Sequence, residues 1–260
     1  ESMEASQRPC DGSNLQGDKP DDYHPGGAPQ FAGRRRSDSW NKYSNAAQNI
    51  YLGGMSMAIS AYLSEVRKLV DRIETEQVKE IRNTAEIMAN SILKGGFVHF
   101  FGSGHSVIPV MDAFPRYGSF LGLNALMEPR LMWGSITGPS SAPGLLLIER
   151  KEDFVVDGFL RYQPLKKEDV LVVYSHGGVN AAPVEAALYG KQKGARVIAV
   201  TSRSNQQVAK ATHSSGKKLI DIADILIDNC VPPEDAVVEL KGVRAKVGAI
   251  STVASVVITM

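Results

Sequence analysis

Three short segments of this 260-residue chain carry the residue types that grip a phosphate. In Gly102-Ser103-Gly104-His105-Ser106 the glycines let backbone N–H groups approach an anion closely, and the two serines add hydroxyl donors. Ser175-His176-Gly177-Gly178-Val179-Asn180 repeats the arrangement, with Ser175 and Asn180 as side-chain donors, and Thr201-Ser202 is the third segment. A hydroxyl-rich cradle suits a phosphate monoester better than a pyrophosphate. The rival reading, a dinucleotide-binding GxGxxG loop, lacks its third glycine, because Val107 stands there. It also lacks the acidic residue about twenty positions on, since Asp112 comes early and Glu128 late. Plainer roles stay open: the first loop as a tight turn, and Asn180, Thr201 and Ser202 as helix caps.

The elements that must position these loops read as repeating strand–helix units. Phe97 to Phe101, Leu171 to Tyr174, Val197 to Val200 and Ile225 to Ile227 are short apolar runs of strand type. Helical patterns separate them, including one around Pro183 to Lys193 closed by Gly194. Strands apolar on both faces and alternating with helices indicate an α/β fold with a parallel sheet. In such sheets ligands bind beyond the carboxyl ends of the strands, where all three polar segments fall. Upstream, Leu63, Val66, Leu69, Val70 and Ile73 form a helical stripe that Ile81, Ala85, Met88 and Ile92 continue, with a register shift near Thr75. That shift predicts two helices or one bent helix between Met57 and Leu93.

Residues 1–54, rich in Gly, Pro, Asp, Ser and Asn, are expected to be a disordered tail, and residues 55–260 the folded domain. The chain opens on Glu1 and stops at Met260 inside the apolar run from Val253, so a truncated C-terminus is expected. With 29 Lys+Arg against 28 Asp+Glu, no global field directs the chain to nucleic acid or membrane. Arg34-Arg35-Arg36 is read as part of a solvated tail. Cys10 and Cys230 lie far apart in segments of different character, which suits a reducing cytoplasm. No zinc-type spacing occurs, so neither metal nor cofactor is expected. The apolar runs are too short to span a bilayer, and no signal-peptide pattern opens the chain.

From about Met57 onward the chain resembles the SIS (sugar isomerase) family, most of all its small phosphosugar-binding members. The residues that carry this are Phe101-Gly-Ser-Gly-His-Ser106, Asn180-Ala-Ala-Pro-Val-Glu185, His213-Ser-Ser-Gly-Lys-Lys-Leu219, Ala223-Asp-Ile-Leu-Ile-Asp-Asn229 and Val247-Gly-Ala-Ile-Ser-Thr-Val-Ala254. The resemblance implies a three-layer αβα sandwich around a flavodoxin-like parallel sheet, with an N-terminal helical segment. It implies that Gly102, Ser103, Gly104, Ser106, Ser175, Gly177, Gly178, Asn180, Thr201, Ser202, Ser251 and Thr252 surround a phosphorylated sugar. It implies too that the chain forms a homodimer or higher homo-oligomer. Gly177 departs from the family pattern, which carries a second serine there.

Aldose–ketose isomerisation needs a base to move a proton between C1 and C2, and a group that opens the ring. Isomerase relatives resemble one another in a Glu shortly before the Ser-Thr of the last helix, where this chain has Lys246 ahead of Ser251-Thr252. A protonated lysine is a poor base. The candidates become Glu149 and Glu152, with His105 or His213 assisting; Asp112 and His176 are secondary, and His99, inside a strand, reads as a core residue. The leading reading is a sugar-phosphate isomerase, or a lyase or etherase on the same ligand class. A non-catalytic phosphosugar sensor acting through a protein partner is second, and a nucleotide-binding oxidoreductase third.

Overall fold

A computed structural model of the protein describes residues 55–114, 116–132 and 141–260. The expected tail, with its arginine triplet, lies outside the described residues. Two helices open the described chain, α1 (Met55–Glu76) and α2 (Val78–Leu93). Strand β1 (Val98–Gly102) leads through a 3-10 turn (Gly104–Ser106) into α3 (Val107–Ala113), and β2 (Leu123–Leu126) follows. Next come α4 (Ser141–Ile148), α5 (Phe154–Gly158), β3 (Val170–Tyr174), α6 (Ala181–Gln192), β4 (Arg196–Thr201), α7 (Arg203–Val208), β5 (Ile225–Asp228) and α8 (Ser251–Thr259).

The strands pair in parallel in the order β2-β1-β3-β4-β5, with Gly102 opposite Tyr174 and Tyr174 opposite Val200. Alternating side chains feed two cores. Phe101, Leu171, Val173, Val197 and Ala199 pack with Leu145 of α4, Val155 of α5 and Val184 of α6. Phe100, Val172, Tyr174, Ile198 and Val200 pack on the other face with Leu69 and Ile73 of α1, Val110 of α3 and Ile258 of α8. This is the expected αβα sandwich, and the N-terminal helices are part of its second layer rather than an appendage.

One strand escaped sequence reading, while the expected shift near Thr75 is a break between two helices. The edge strand β2 is four residues long and partly exposed, so its apolar content is too thin to signal a strand. The break between α1 and α2 falls at Gln77, whose buried side chain accepts a hydrogen bond from the Asp228 N–H at 3.0 Å, tying the helix pair to the end of β5. Pro183 sits within α6 at no cost to the helix, because first-turn N–H groups have no intrahelical acceptor.

His99 is wholly buried, as its place in a strand predicts. Its Nδ1 faces the Asn124 amide at 2.9 Å and its Nε2 faces Asp169 Oδ2 at 3.1 Å. Asp169 also accepts the N–H groups of Phe97 and Lys166. Burial lowers the His99 pKa, and Asp169 only partly opposes the effect. The folded state thus resists protonation. Above about pH 6.5, the ordinary histidine value, both states are neutral; below it the unfolded chain binds the proton first and stability falls. Urea titrations at neutral and mildly acidic pH should show this loss, and a His99→Gln variant should lack that part of the slope.

Candidate functional site

The order of the sheet reverses between β1 and β3. The chain leaving β1 enters α3 on one face, and the chain leaving β3 enters α6 on the other. A crevice opens where two such loops diverge, and in parallel sheets this is where ligands sit. The first and second polar segments form its two walls. Gly102 lets the first loop curl back tightly: a Cβ there would lie 2.1 Å from the Ser106 carbonyl oxygen. Gly178 has φ +61°, and a Cβ would overlap the buried Gln206 amide. Gln206 is held there by bonds to Gly177 O and Thr201 Oγ1.

Glu149 joins the two walls. It follows α4, is buried, and accepts a hydrogen bond from Ser103 Oγ at 3.2 Å and one from Asn180 Nδ2 at 2.9 Å. Burial raises its pKa; the Ser103 hydrogen bond and nearby Arg150 pull the other way. A carboxyl group made easier to protonate, and standing between two glycine-rich strand-end loops, is suited to general acid–base work. Asn180 stands at the N-cap position of α6 but makes no cap hydrogen bond, because its amide is turned to Glu149. Ser106 is half-buried at the start of α3 and His105 is exposed beside it. Ser175 Oγ accepts the Gly178 N–H, which shapes the second loop.

Other expected site residues have internal tasks. Thr201 and Ser202 are fully buried. Thr201 donates to His176 O, while Ser202 caps α7 through the Asn205 N–H and donates to Val231 O. Both are therefore scaffold for the loops rather than open donors. Ser251 is held by Asp235, which accepts its N–H and hydroxyl together with the Ile250 N–H, and Thr252 is half-buried on the same first turn of α8. Lys246 is exposed on a loop, 3.9 Å from Glu239. Asp112 pairs with Arg116, and His176 faces Pro233 O and Asn229.

His213 is held differently from the expectation of a ligand-facing group. Its Nδ1 accepts the Ser215 N–H, and its Nε2 lies between Glu152 and Glu185. Glu152 accepts the N–H and hydroxyl of Ser214. The donors of the stretch from Ser214 to Lys217 are thereby committed within the protein, Ser214 to Glu152 and the Gly216 and Lys217 N–H groups to His213 and Ser215 of their own loop. The Ser214 bonds, with His213, hold the Glu152 pKa down. Glu185, which sequence reasoning passed over, completes this cluster from inside α6; its only signal was a charged residue amid the apolar positions of Ala181 to Ala187.

Among the described residues no cluster of His, Cys, Asp or Glu could hold a metal ion, and no helix is long and apolar enough to cross a membrane. A cavity of about 640 Å³ lies away from the crevice, over the sheet between α2 and α8. Met88, Ile92, Phe100, Val172 and Ile258 give it a mostly apolar lining, and the Tyr174 and Thr259 hydroxyls at its wall are bonded to each other.

The matching proteins agree with this architecture. A phosphoheptose isomerase, GmhA, from Neisseria gonorrhoeae superimposes with a TM-score of 0.53 at 19% identity, over 79% of this chain and 94% of that one. At that identity the likeness is one of fold. A UPF0309 protein of Thermoanaerobacter pseudethanolicus is 40% identical over 182 residues, 69% of this chain and 71% of its own length. Another UPF0309 protein, from Caldanaerobacter subterraneus, is 36% identical over 203 residues, 77% of this chain and 80% of its own. The model of the SIS domain matches residues 61–202, which span β1 through β4 and both walls of the crevice. With that match and the 40% identical relative, the chain belongs to the SIS-domain family.

Proposed function

We propose that the protein binds a sugar phosphate in the crevice between β1 and β3 and isomerises it by proton transfer through Glu149. The observation that carries this reading is the buried Glu149 carboxyl held between Ser103 and Asn180, one from each loop. The name of the solved neighbour, a phosphoheptose isomerase, supports the ligand class.

In this reading the phosphate rests against the first loop and Ser106, and the sugar extends toward Glu149. The ionised carboxylate takes the C2 proton and returns it to C1. A raised pKa makes the removal easier, because the carboxylate is then a stronger base than that of an ordinary glutamate. His105, on the exposed side of the first loop, is placed to assist ring opening. Residues 55–260 are the binding domain, acting in the cytoplasm as a homodimer or higher homo-oligomer, without cofactor or metal.

A thermal-shift panel of sugar phosphates identifies the ligand, since one that binds only the native state raises the melting temperature. Calorimetry on Ser106→Ala then tests the cradle. Loss of one hydroxyl donor to a charged group should weaken binding about ten- to a hundredfold. Unchanged affinity would remove Ser106 from the phosphate site. Ser103→Ala should affect turnover more than binding, because that hydroxyl is bonded to Glu149. Tight binding with no exchange of the C2 proton would replace the isomerase reading by the sensor.

A further inference from the structure

The turn after α4 collects features that stability alone disfavours. Asp153 adopts left-handed backbone, φ 66° and ψ −15°, a conformation that non-glycine residues rarely take. Glu185 is buried within α6; its Oε1 accepts the Asp153 N–H, and its Oε2 has no hydrogen-bond partner among the described residues. His213 brings Nε2 to 3.6 Å from Glu185 Oε1 and 3.7 Å from Glu152 Oε2. Because Nδ1 accepts the Ser215 N–H, the network assigns the ring proton to Nε2, facing both carboxylates. Burial raises the Glu185 pKa, against the pull of the Asp153 N–H and His213. An apolar side chain at position 185 would avoid the orphaned oxygen and the desolvated carboxyl together.

What these residues connect explains why they are tolerated. Glu152 lies three positions after Glu149, and Glu185 lies five after Asn180. The Ala182 N–H donates to the Glu149 carbonyl at 3.0 Å, so the turn is already stitched to the start of α6 by its backbone. The Glu185 bond to Asp153 adds a second stitch one helical turn further along. His213 adds a third, reaching Glu152 and Glu185 at once.

We propose that Glu185 and His213 are positioning residues for Glu149: they pin the 149–153 turn against α6 and so hold the Glu149 carboxyl at Asn180 and at the reacting carbons of the sugar. The proposal rests on the reading that Glu149 carries the proton. Displacing a reacting group by about 1 Å can cost on the order of a hundredfold in rate, which is the scale of the expected effect.

The groups facing Glu149 are Ser103, Asn180 and Arg150; those facing Glu185 are Asp153 and His213, and Glu152 faces the same His213. The test is a carbon-13 NMR titration of carboxyl-labelled glutamate in the whole protein, with the Glu149 signal assigned by its loss in Glu149→Gln. Glu185→Ala and His213→Gln are compared with wild type at a temperature where circular dichroism shows each variant folded. His213 lies on a surface strap, so its variant stays available should Glu185→Ala fail to fold. In both, the Glu149 titration should move down toward the ordinary carboxylate range as water reaches the loosened turn. C2 proton exchange should fall about a hundredfold while sugar-phosphate affinity changes by less than about threefold. A Glu149 titration unchanged in a folded variant overturns the proposal, because loss of global stability alone does not move it. If wild type exchanges no C2 proton with any sugar phosphate while the variants still shift Glu149, the isomerase reading fails and the positioning role stands.

Discussion

Glu149→Gln should lower the exchange of the sugar's C2 proton with solvent by about 10²–10⁴-fold, the usual loss when a positioned general base is removed. The amide matches the carboxyl in size and keeps an oxygen to accept from Ser103 or Asn180, so the crevice should retain its shape and most of its affinity. Incubation of the bound sugar phosphate in heavy water, followed by proton NMR, measures the exchange directly. The pH dependence carries an independent sign. Burial raises the Glu149 pKa, so the ionised form that acts as base is lost on acidification at a higher pH than for an ordinary glutamate, about 4.3. The acidic limb of kcat/KM should therefore lie above that value and vanish with the residual activity of Glu149→Gln. Full activity in that variant would move the base elsewhere, with Glu152 the next group to test, although its carboxylate is already engaged by Ser214.

Gly102→Ala should destabilise the domain by about 3 kcal/mol, the upper end for overpacking, equivalent to roughly 6–12 °C in Tm for a domain of this size. The magnitude follows from what the new methyl group meets. A Cβ at position 102 would lie 2.1 Å from the Ser106 oxygen and 2.5 Å from its carbonyl carbon, so backbone rather than a flexible side chain must move. Moving it opens the first loop, and sugar-phosphate binding should be lost with the stability. Differential scanning calorimetry with and without ligand separates the two losses. A variant that melts within about 1 °C of wild type would show that the loop does not need the close approach.

Much of the fold is written in residue order. Short apolar runs predicted β1, β3, β4 and β5, and with them a parallel sheet, because strands buried on both faces admit few polar residues. The Gly-Ser loop after β1 and the Gly-Gly loop after β3 were legible as strand-to-helix turns rich in glycine and hydroxyl groups, which made them candidates for an anion site. Glu149 and Asn180 were each legible as candidates, one for its charge and one for its place before a helix. Their partnership was not, because 31 positions separate them and only the fold brings carboxyl and amide to 2.9 Å.

The tertiary structure decided which of these polar residues are taken up by the scaffold. Ser202 and Ser106 look alike beside their strands, yet Ser202 is fully buried as a cap for α7 and Ser106 stands at the crevice. The difference depends on which neighbours reach each hydroxyl, and those neighbours come from distant segments: Val231 for Ser202, Asp235 for Ser251, Glu149 for Ser103. The same holds for His213, whose glycine- and serine-rich setting suggested an open donor loop. Two carboxylates from α6 and the turn after α4 enclose it instead. Local sequence determines strands, turns and the types of donor a loop can offer, because these follow from backbone sterics and side-chain chemistry within a few residues. Whether a donor is free to bind depends on contacts across the fold, and for this protein those contacts bring Glu149 between Ser103 of the loop after β1 and Asn180 of the loop after β3.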